Sequence, residues 1–359
     1  MRKWIYACAT MILATTLFGC GAGQVSGPPE VSQEAQISQT AAAEPEEILS
    51  EPTQASKKET LYLTVSRLVL PYPGTSENVY CGTMPLESLV WASSDPEVIT
   101  VEDGVVSAKG TGQAEITASA GSVQVKCQVS CLTASQEAFE NLDDSILSQP
   151  IREPPVPEEG ACTYFDDAGF VGDSVTYQLL YTPGRKERIG SPVEMFRRSA
   201  SVKGFADHFW NLSFRGKDTK LEDAVAESGV RQLFFMLGAN DMGYVSVEDT
   251  MANWETLIGR IREKSPDVEV YIQSILPSAT GDRYYNSKNE RIAQYNAALK
   301  EFAEEKGLHY IELGAYFEDS LGRLAAGYSS DGDVHITEKA VYKWSDILRL
   351  FAQRQTEAE

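Results

Sequence analysis

Ala168-Gly169-Phe170-Val171-Gly172 is a short apolar run, and Asp173-Ser174 follows it directly. Four further apolar runs follow along the chain, with amphipathic helical patterns between and after them. Short strands that alternate with helices predict a parallel sheet covered by helices on both faces. The strand-like runs are 168–172, 193–196, 232–237, 268–272 and 309–313, and the helical patterns are 250–263, 290–306 and 338–352.

Polar or small residues follow three of these strands, at the edge of the sheet where ligands bind. Ser174 begins a predicted helix over 175–180, so its own N–H points, with the helix dipole, toward an oxyanion. Gly204 follows the second strand and lets a backbone N–H approach a ligand without Cβ interference. Asn240 follows the third strand as a neutral amide donor, and Asp241 would brace its loop. Each alone has an ordinary structural explanation, as a helix N-cap, a turn glycine or an Asx-turn.

The chain has three histidines, and one of them lies in a polar loop. His208 falls in a helix-like stretch and His309 in a strand pattern, whereas His335 lies beside carboxylates in Ser330-Asp331-Gly332-Asp333-Val334-His335. A lone histidine is more often structural. A histidine with a carboxylate to orient it has the arrangement that a general base needs.

Together and in this order, the four elements resemble the four sequence blocks of the SGNH/GDSL hydrolase superfamily, over residues 164–351. The resemblance implies a three-layer, flavodoxin-like α/β fold in which Ser174 is the nucleophile and His335 the base. It also implies an oxyanion hole formed by the N–H groups of Ser174 and Gly204 and the side chain of Asn240. The implied reaction is attack on an ester carbonyl, formation of an acyl-enzyme and hydrolysis by water, without a metal or organic cofactor.

The third member of the triad is ambiguous in the sequence. The family usually places its acid three residues before the histidine, and here that position is Gly332. Asp331 lies four residues before His335 and Asp333 two before. Asp-Gly-x-Val-His looks like the usual Asp-Gly-x-His with one inserted residue, which favours Asp331, and Asp333 stays open as the alternative.

The N-terminus has the pattern of an export signal. Arg2 and Lys3 precede an apolar run over 4–18, too short to span a bilayer as a mature helix, that ends in Leu17-Phe18-Gly19-Cys20. This resembles the lipobox of bacterial lipoproteins, although Phe18 replaces the usual small residue. The resemblance implies a signal peptide over 1–19, lipid on Cys20 and a protein on the extracellular face of the bacterial membrane. The alternative is an uncleaved anchor with an incidental cysteine, and either interpretation places the rest of the chain outside the cytoplasm.

The region before the α/β pattern divides into three parts. Residues 20–58 are too poor in large apolar residues to form a core and are predicted to be a disordered tether. Residues 59–133 alternate with period two between turn signals, which predicts a small antiparallel sandwich. Val90-Trp91-Ala92-Ser93-Ser94-Asp95-Pro96, with later Gly-containing turns, resembles the second group of bacterial immunoglobulin-like repeats, with Trp91 as core anchor. Residues 134–160 are predicted to be a linker and 161–356 the hydrolase domain. The sandwich is interpreted as a spacer, with glycan adhesion as the alternative.

Cysteines and charge narrow the classes of partner. Cys81, Cys127, Cys131 and Cys162 lie in the exported part and allow three disulfide pairings. Zinc is disfavoured, because no histidine or second cysteine pair lies at finger-like spacing from the Cys127 and Cys131 pair. A net charge of -21 and a pI near 4.6 argue against a nucleic-acid partner.

The sequence therefore predicts a surface-anchored serine esterase acting on O-acyl esters, above all O-acetyl esters of a polysaccharide or cell-wall glycan. A lysophospholipid acylhydrolase or an acyltransferase with the same triad is one alternative. A glycan-binding surface adhesion protein with a degenerate hydrolase domain is another, against which the intact Ser174, Gly204, Asn240 and His335 argue. The oligomeric state stays open.

Overall fold

A computed structural model of the chain describes residues 61–82, 85–282 and 286–358. The predicted signal peptide, the lipid site Cys20 and the tether over 20–58 lie outside the described residues. Within the described ranges, none of the helices combines the length and the apolar character needed to cross a membrane.

The first described region is a β-sandwich. Its strands form one sheet of order β3-β6-β7-β1-β8 and a second of order β2-β5-β4, in which all pairs are antiparallel except the parallel pair of β1 with β7. The last strand, β8, comes from the segment predicted to be a linker, which also forms α1 and α2. The elements are β1 (Arg67–Leu70), β2 (Ser76–Asn78), β3 (Val90–Ser93), β4 (Ile99–Glu102), β5 (Val105–Ala108), β6 (Gly112–Ala120), β7 (Val123–Cys131), α1 (Gln136–Glu140), α2 (Asp144–Leu147) and β8 (Arg152–Glu153).

Trp91 packs against the core of the sandwich but is not enclosed by it. It lies half-buried on β3, an edge strand, and its indole N–H donates to the Leu86 carbonyl at 3.0 Å. The fully buried side chains include the aliphatic residues Leu68, Ile99 and Ile116. The prediction for Trp91 is corrected because an edge strand leaves one flank of a large ring uncovered.

The described cysteines are all free thiols, so none of the three possible pairings forms in the structure. Cys81, Cys127 and Cys131 are buried in the sandwich. Burial raises the pKa of the Cys127 thiol to about 12, which keeps it protonated and unreactive at neutral pH.

The second region has the predicted α/β architecture. Its five strands are all parallel, in the order β10-β9-β13-β14-β15, which confirms the flavodoxin-like prediction. Helices α3, α4 and α9 contact one another, and α5 and α6 both pack on α7, which packs on α8. The elements are β9 (Ala168–Gly172), α3 (Ser174–Tyr181), α4 (Arg185–Ile189), β10 (Val193–Phe196), α5 (Val202–Ala206), β11 (Leu212–Phe214), β12 (Lys217–Thr219), α6 (Leu221–Ser228), β13 (Gln232–Met236), α7 (Val247–Lys264), β14 (Glu269–Gln273), α8 (Ser287–Glu305), β15 (His309–Ile311) and α9 (Glu338–Ala358).

Aromatic packing fixes the central strands of this sheet. Phe170 on β9 stacks on Phe234 of β13 at 5.2 Å between ring centroids, and Phe234 stacks on Tyr271 of β14 at 4.6 Å. Trp254 of α7 and Trp344 of α9 are fully buried, and each indole N–H has a partner, Tyr295 and Gln273 respectively. A fully buried core of this kind holds the carboxyl ends of β9, β10 and β13 in a fixed relation.

The sandwich and the α/β region are joined by direct contacts as well as by the chain. Tyr316 Oη donates to the Thr64 carbonyl at 2.9 Å, and Ile151 N donates to the Glu318 carbonyl at 3.0 Å. The described residues accordingly belong to one compact unit.

Candidate active site

The turn between β9 and α3 places Ser174 at the carboxyl edge of the sheet. A Cβ on Gly172 would lie 1.8 Å from Thr176 Oγ1 and 2.9 Å from the Met236 carbonyl, so only glycine fits at the end of this strand. Asp173 caps α3 by accepting the Val175 N–H at 2.9 Å, and Ser174 is the first residue of the helix. The Ser174 N–H has no acceptor among the described residues, so it is available to a ligand.

His335 connects Ser174 to a carboxylate. Its Nε2 lies 3.0 Å from Ser174 Oγ, and its Nδ1 lies 2.6 Å from Asp331 Oδ2. Partial burial acts to raise the pKa of Asp331, but the hydrogen bonds from the His335 ring and the Asp333 N–H hold that pKa below its usual value. An ionised Asp331 fixes the His335 tautomer with Nε2 free to accept the serine proton.

Asp333, the alternative acid, has other partners. Its carboxylate accepts hydrogen bonds from Ser278 Oγ and Lys288 Nζ, and no contact with the His335 ring is found within the described residues. The extra residue of this loop is accommodated at Gly332, whose φ of +80° lies in the left-handed region. The structure therefore places Asp331, and not Asp333, beside the histidine.

Gln178 also belongs to this arrangement, although the sequence reasoning did not single it out. Its Nε2 donates to the Ile336 carbonyl at 3.0 Å, and its Oε1 accepts the Ile336 N–H at 3.0 Å. Two reciprocal bonds thus join the nucleophile's helix to the residue that follows His335. The available signal was spacing, because a residue four positions after Ser174 on a helix faces the same way.

Asn240 lies beside the nucleophile, with its amide already engaged. Its Nδ2 donates to Asp173 Oδ2 and to the Ala200 carbonyl, both at 2.9 Å. Asp173 is 2% exposed, and burial raises its pKa to about 6 against the opposing effects of the Val175 N–H and of electrostatic interaction with His335. The amide of Asn240 therefore links the N-cap of α3 to the loop that follows β10.

Gly204 does not meet Ser174 as predicted. It lies inside α5, and its N–H donates to the N-cap side chain of Ser201 at 3.0 Å. A Cβ at this position would come within 1.7 Å of Trp210 Cδ1. Gly204 is therefore required for packing of the indole, and the prediction that its amide faces the nucleophile is corrected.

Asp241 braces the start of α5. Its carboxylate accepts the N–H groups of Val202 at 2.8 Å and Lys203 at 3.1 Å. It is 1% exposed, and burial raises its pKa above the usual value. The next residue after Asn240 thus holds the loop in place, as the sequence suggested.

Ser174 and His335 line a cavity of about 380 Å³ whose wall is partly polar and partly apolar. Arg198, Ser199 and Lys288 form part of its wall, and Met242 and Ile292 are among its apolar lining residues. A space of this size can hold the reacting end of an ester substrate. No cluster of three or more His, Cys, Asp or Glu side chains that could hold a metal ion occurs in the described part of the chain.

Comparison with known proteins locates this region in a family. Residues 170–341 match the GDSL-like lipase/acylhydrolase family. The sequence has no significant match among curated proteins.

Solved structures similar to the chain include a GDSL-like lipase from Bacteroides thetaiotaomicron (18% identity, TM-score 0.41, 52% of this chain and 88% of that one). Also similar is a carbohydrate esterase of family 3 from Talaromyces cellulolyticus, with 14% identity and a TM-score of 0.38, covering 53% of this chain and 98% of that one. A third is an acetylxylan esterase from Geobacillus stearothermophilus, with 16% identity and a TM-score of 0.38, covering 50% of this chain and 91% of that one. With TM-scores below 0.5, these likenesses carry no weight for substrate or mechanism.

The matched segment begins in β9, four residues before Ser174, and ends in α9, six residues after His335. It therefore contains the whole parallel sheet except the first two residues of β9, together with the serine and histidine that the structure brings into contact. The domain formed by residues 170–341 belongs to the GDSL-like lipase/acylhydrolase family, and the chain is an ester-hydrolysing enzyme.

Proposed function

We propose that the chain is a surface-anchored serine esterase that removes O-acetyl groups from a polysaccharide or cell-wall glycan, with Ser174, His335 and Asp331 as its catalytic triad. One observation carries the catalytic part of this proposal. A single imidazole lies within hydrogen-bonding distance of both the serine hydroxyl, at 3.0 Å, and the carboxylate, at 2.6 Å. Nucleophilic activation of a serine needs these two contacts.

In the proposed reaction Ser174 Oγ bonds to the ester carbonyl carbon while its proton passes to His335 Nε2. The carbonyl π electrons move onto oxygen, and the resulting imidazolium is stabilised by Asp331. When the tetrahedral intermediate collapses, the C–O bond to the sugar breaks and His335 returns the proton to the departing hydroxyl. A water molecule then repeats these steps on the acyl-enzyme, releasing acetate and restoring Ser174.

Two donors are proposed for the oxyanion. The Ser174 N–H is at the N-terminal end of α3 and has no acceptor within the described residues. The Asn240 amide is held by Asp173 and Ala200, so it must exchange one of these acceptors for the oxyanion as the substrate reacts. Losing such a donor costs about two to four kcal/mol of transition-state stabilisation.

The cavity and the N-terminal sequence support the proposed substrate class. The cavity beside Ser174 has a volume of about 380 Å³, and charged and hydroxyl side chains interrupt its apolar wall, which supports an acetyl group over a long acyl chain. The Leu17-Phe18-Gly19-Cys20 sequence supports lipid attachment at Cys20 on the extracellular face of the membrane. An enzyme held there meets surface glycans.

Two measurements test the proposal. A fluorophosphonate probe should label the folded protein, and Ser174→Ala should abolish the adduct, whereas Ser213→Ala, at an exposed serine on β11, should label normally. Acetate release should be measured from a panel of O-acetylated glycans alongside p-nitrophenyl esters of increasing chain length. An adduct that survives Ser174→Ala would refute the nucleophile, and a preference for long-chain esters would refute the substrate class.

A further inference from the structure

A second cavity lies beside the one that contains Ser174. It measures about 800 Å³, roughly twice the volume of the nucleophile's cavity, and it shares Ser199 and Asn240 with that cavity. The two spaces are therefore neighbours around the same two residues. We call the larger one the aromatic cleft, defined by Phe209, Trp210 and Tyr244 in its lining.

The aromatic rings of this cleft are unusually open to solvent. Phe209 is 74% exposed and Tyr244 93% exposed, although aromatic rings of this size normally bury most of their surface. Scattered apolar residues need no explanation, but two such rings in the lining of one cavity mark a binding surface.

Trp210, by contrast, is held rigidly within the cleft. Phe209 packs edge-on against it at 4.6 Å between centroids, and the Arg197 guanidinium lies 4.4 Å from the indole ring. Arg197 is fixed in turn by donating to the Asn211 carbonyl at 3.1 Å. The absence of a side chain at Gly204 leaves the room that the indole occupies. A preorganised ring loses little conformational freedom when a ligand stacks on it.

Polar groups surround the rings. Lys203 and Asp207 form an ion pair at 2.5 Å, and His208 contacts Glu222 at 2.6 Å, with Ser201 nearby in the lining. Lys203, Asp207, His208 and Ser201 line the same cavity as the rings and offer both donors and acceptors.

We infer that the aromatic cleft binds a sugar ring of the glycan, next to the acetylated unit whose ester reaches Ser174. A pyranose has apolar C–H faces that stack on aromatic rings and hydroxyl edges that hydrogen-bond to side chains like those around the cleft. A lipid chain would instead need a continuous apolar groove, which the ion pair and the histidine interrupt. This inference rests on the proposed function, because it supplies the part of the glycan that does not react.

Kinetics on two kinds of substrate test the inference. Phe209→Ala and Tyr244→Ala should each raise KM for O-acetylated xylo-oligosaccharide about tenfold, with kcat and the hydrolysis of p-nitrophenyl acetate unchanged, since the small ester does not reach the cleft. Tyr80→Ala, at an exposed tyrosine of the sandwich, is the matched control and should alter neither. Equal KM values for the glycan in the cleft variants and the wild type would overturn the inference while leaving the esterase intact.

Binding supplies a readout that is independent of turnover. Deacetylated xylo-oligosaccharide should change the tryptophan fluorescence of the Ser174→Ala protein, and Trp210→Phe should remove that change. If p-nitrophenyl acetate is hydrolysed but no glycan of the O-acetylated panel, the xylo-oligosaccharide included, is deacetylated or bound, both the glycan substrate and the cleft assignment are refuted. If the cleft variants instead raise KM for a lysophospholipid, the cleft binds an acyl chain and the inference is wrong. A wild-type protein that fluorophosphonate does not label would refute the proposed function itself.

Discussion

The loop that carries His335 and the segment that carries Gly204 were both expected to face Ser174, and they differ in how they are held. The His335 loop is joined to the nucleophile's helix by the His335 contact and by two bonds from Gln178. The Gly204 amide is used within its own helix by Ser201. The type of residue that follows a strand therefore does not determine whether its polar group faces the active site. The hydrogen-bond partners of that polar group determine where it points.

The strongest test of this contrast removes the carboxylate of the His335 loop. Asp331→Ala should lower kcat for p-nitrophenyl acetate by about 10²- to 10⁴-fold, because His335 loses the group that fixes its tautomer and stabilises its charge. Asp333→Ala is the matched control in the same loop and should cost much less, since its partners are Lys288 and Ser278. Equal, small losses from both variants would remove the case for a catalytic acid in this loop.

A smaller effect is expected from the connection between the loop and the helix. Gln178→Ala should lower kcat about tenfold with KM little changed, because His335 is then less firmly positioned over Ser174. Gln178 is a positioning residue, so kcat should fall by the same factor at every pH and the shape of the pH profile should not change. Gln294→Ala, at an exposed helical glutamine of α8, is the control. A Gln178 variant with lower melting temperature but wild-type kcat would reduce the residue to a structural role.

The sequence predicted the parts of the fold that repeat a pattern. Strand β9 begins and ends as expected, and α7 and α8 differ from the predicted helices by only a few residues at their ends. The five-residue helices α4 and α5 and the hairpin of β11 with β12 were not predicted, because such short elements contain too few residues to show a period.

The candidate site was predictable to the same degree. Ser174 and His335 were found from motif and loop chemistry, and the structure brings them together. Its spacing from Ser174 indicates only the direction in which Gln178 faces, and its pairing with Ile336 across 158 residues is not contained in that spacing. The Gly204 amide was misassigned because its acceptor is a cap three residues earlier and its close neighbour is the Trp210 ring, and both contacts form only once α5 has folded.

The role of the Gly204 N–H can be tested by removing its hydrogen-bond acceptor. Ser201→Ala removes the acceptor of the Gly204 N–H and should lower the free energy of unfolding by about 1 kcal/mol, as loss of an N-cap does. The rate with p-nitrophenyl acetate should stay at the wild-type value, since this amide does not take part in the reaction. Urea denaturation and steady-state kinetics measure the two quantities, with Ser213→Ala as control. A large change in kcat without a change in stability would return Gly204 to the oxyanion hole.

The smallest expected effect is a difference in how low pH changes the stability contributed by Asp331, in the His335 loop, and by Asp241, which holds the Gly204 segment. The folded-state pKa of Asp331 is lowered, so the stability it contributes is present above about pH 4 and is lost as pH falls through that pKa. The folded-state pKa of Asp241 is raised, mainly by burial, so its contribution is present below about pH 4 and is lost as pH rises through that pKa. We therefore compare the melting temperature of each variant with that of the wild type between pH 3 and 7. As the pH falls, the melting temperature of Asp331→Asn should approach that of the wild type, whereas that of Asp241→Asn should fall further below it. Asp267→Asn, at an exposed position, is the control. If the melting temperatures of the Asp331 and Asp241 variants change in the same way with pH, the two carboxylates do not differ as described, with Asp331 exposed beside His335 and Asp241 buried at the start of α5.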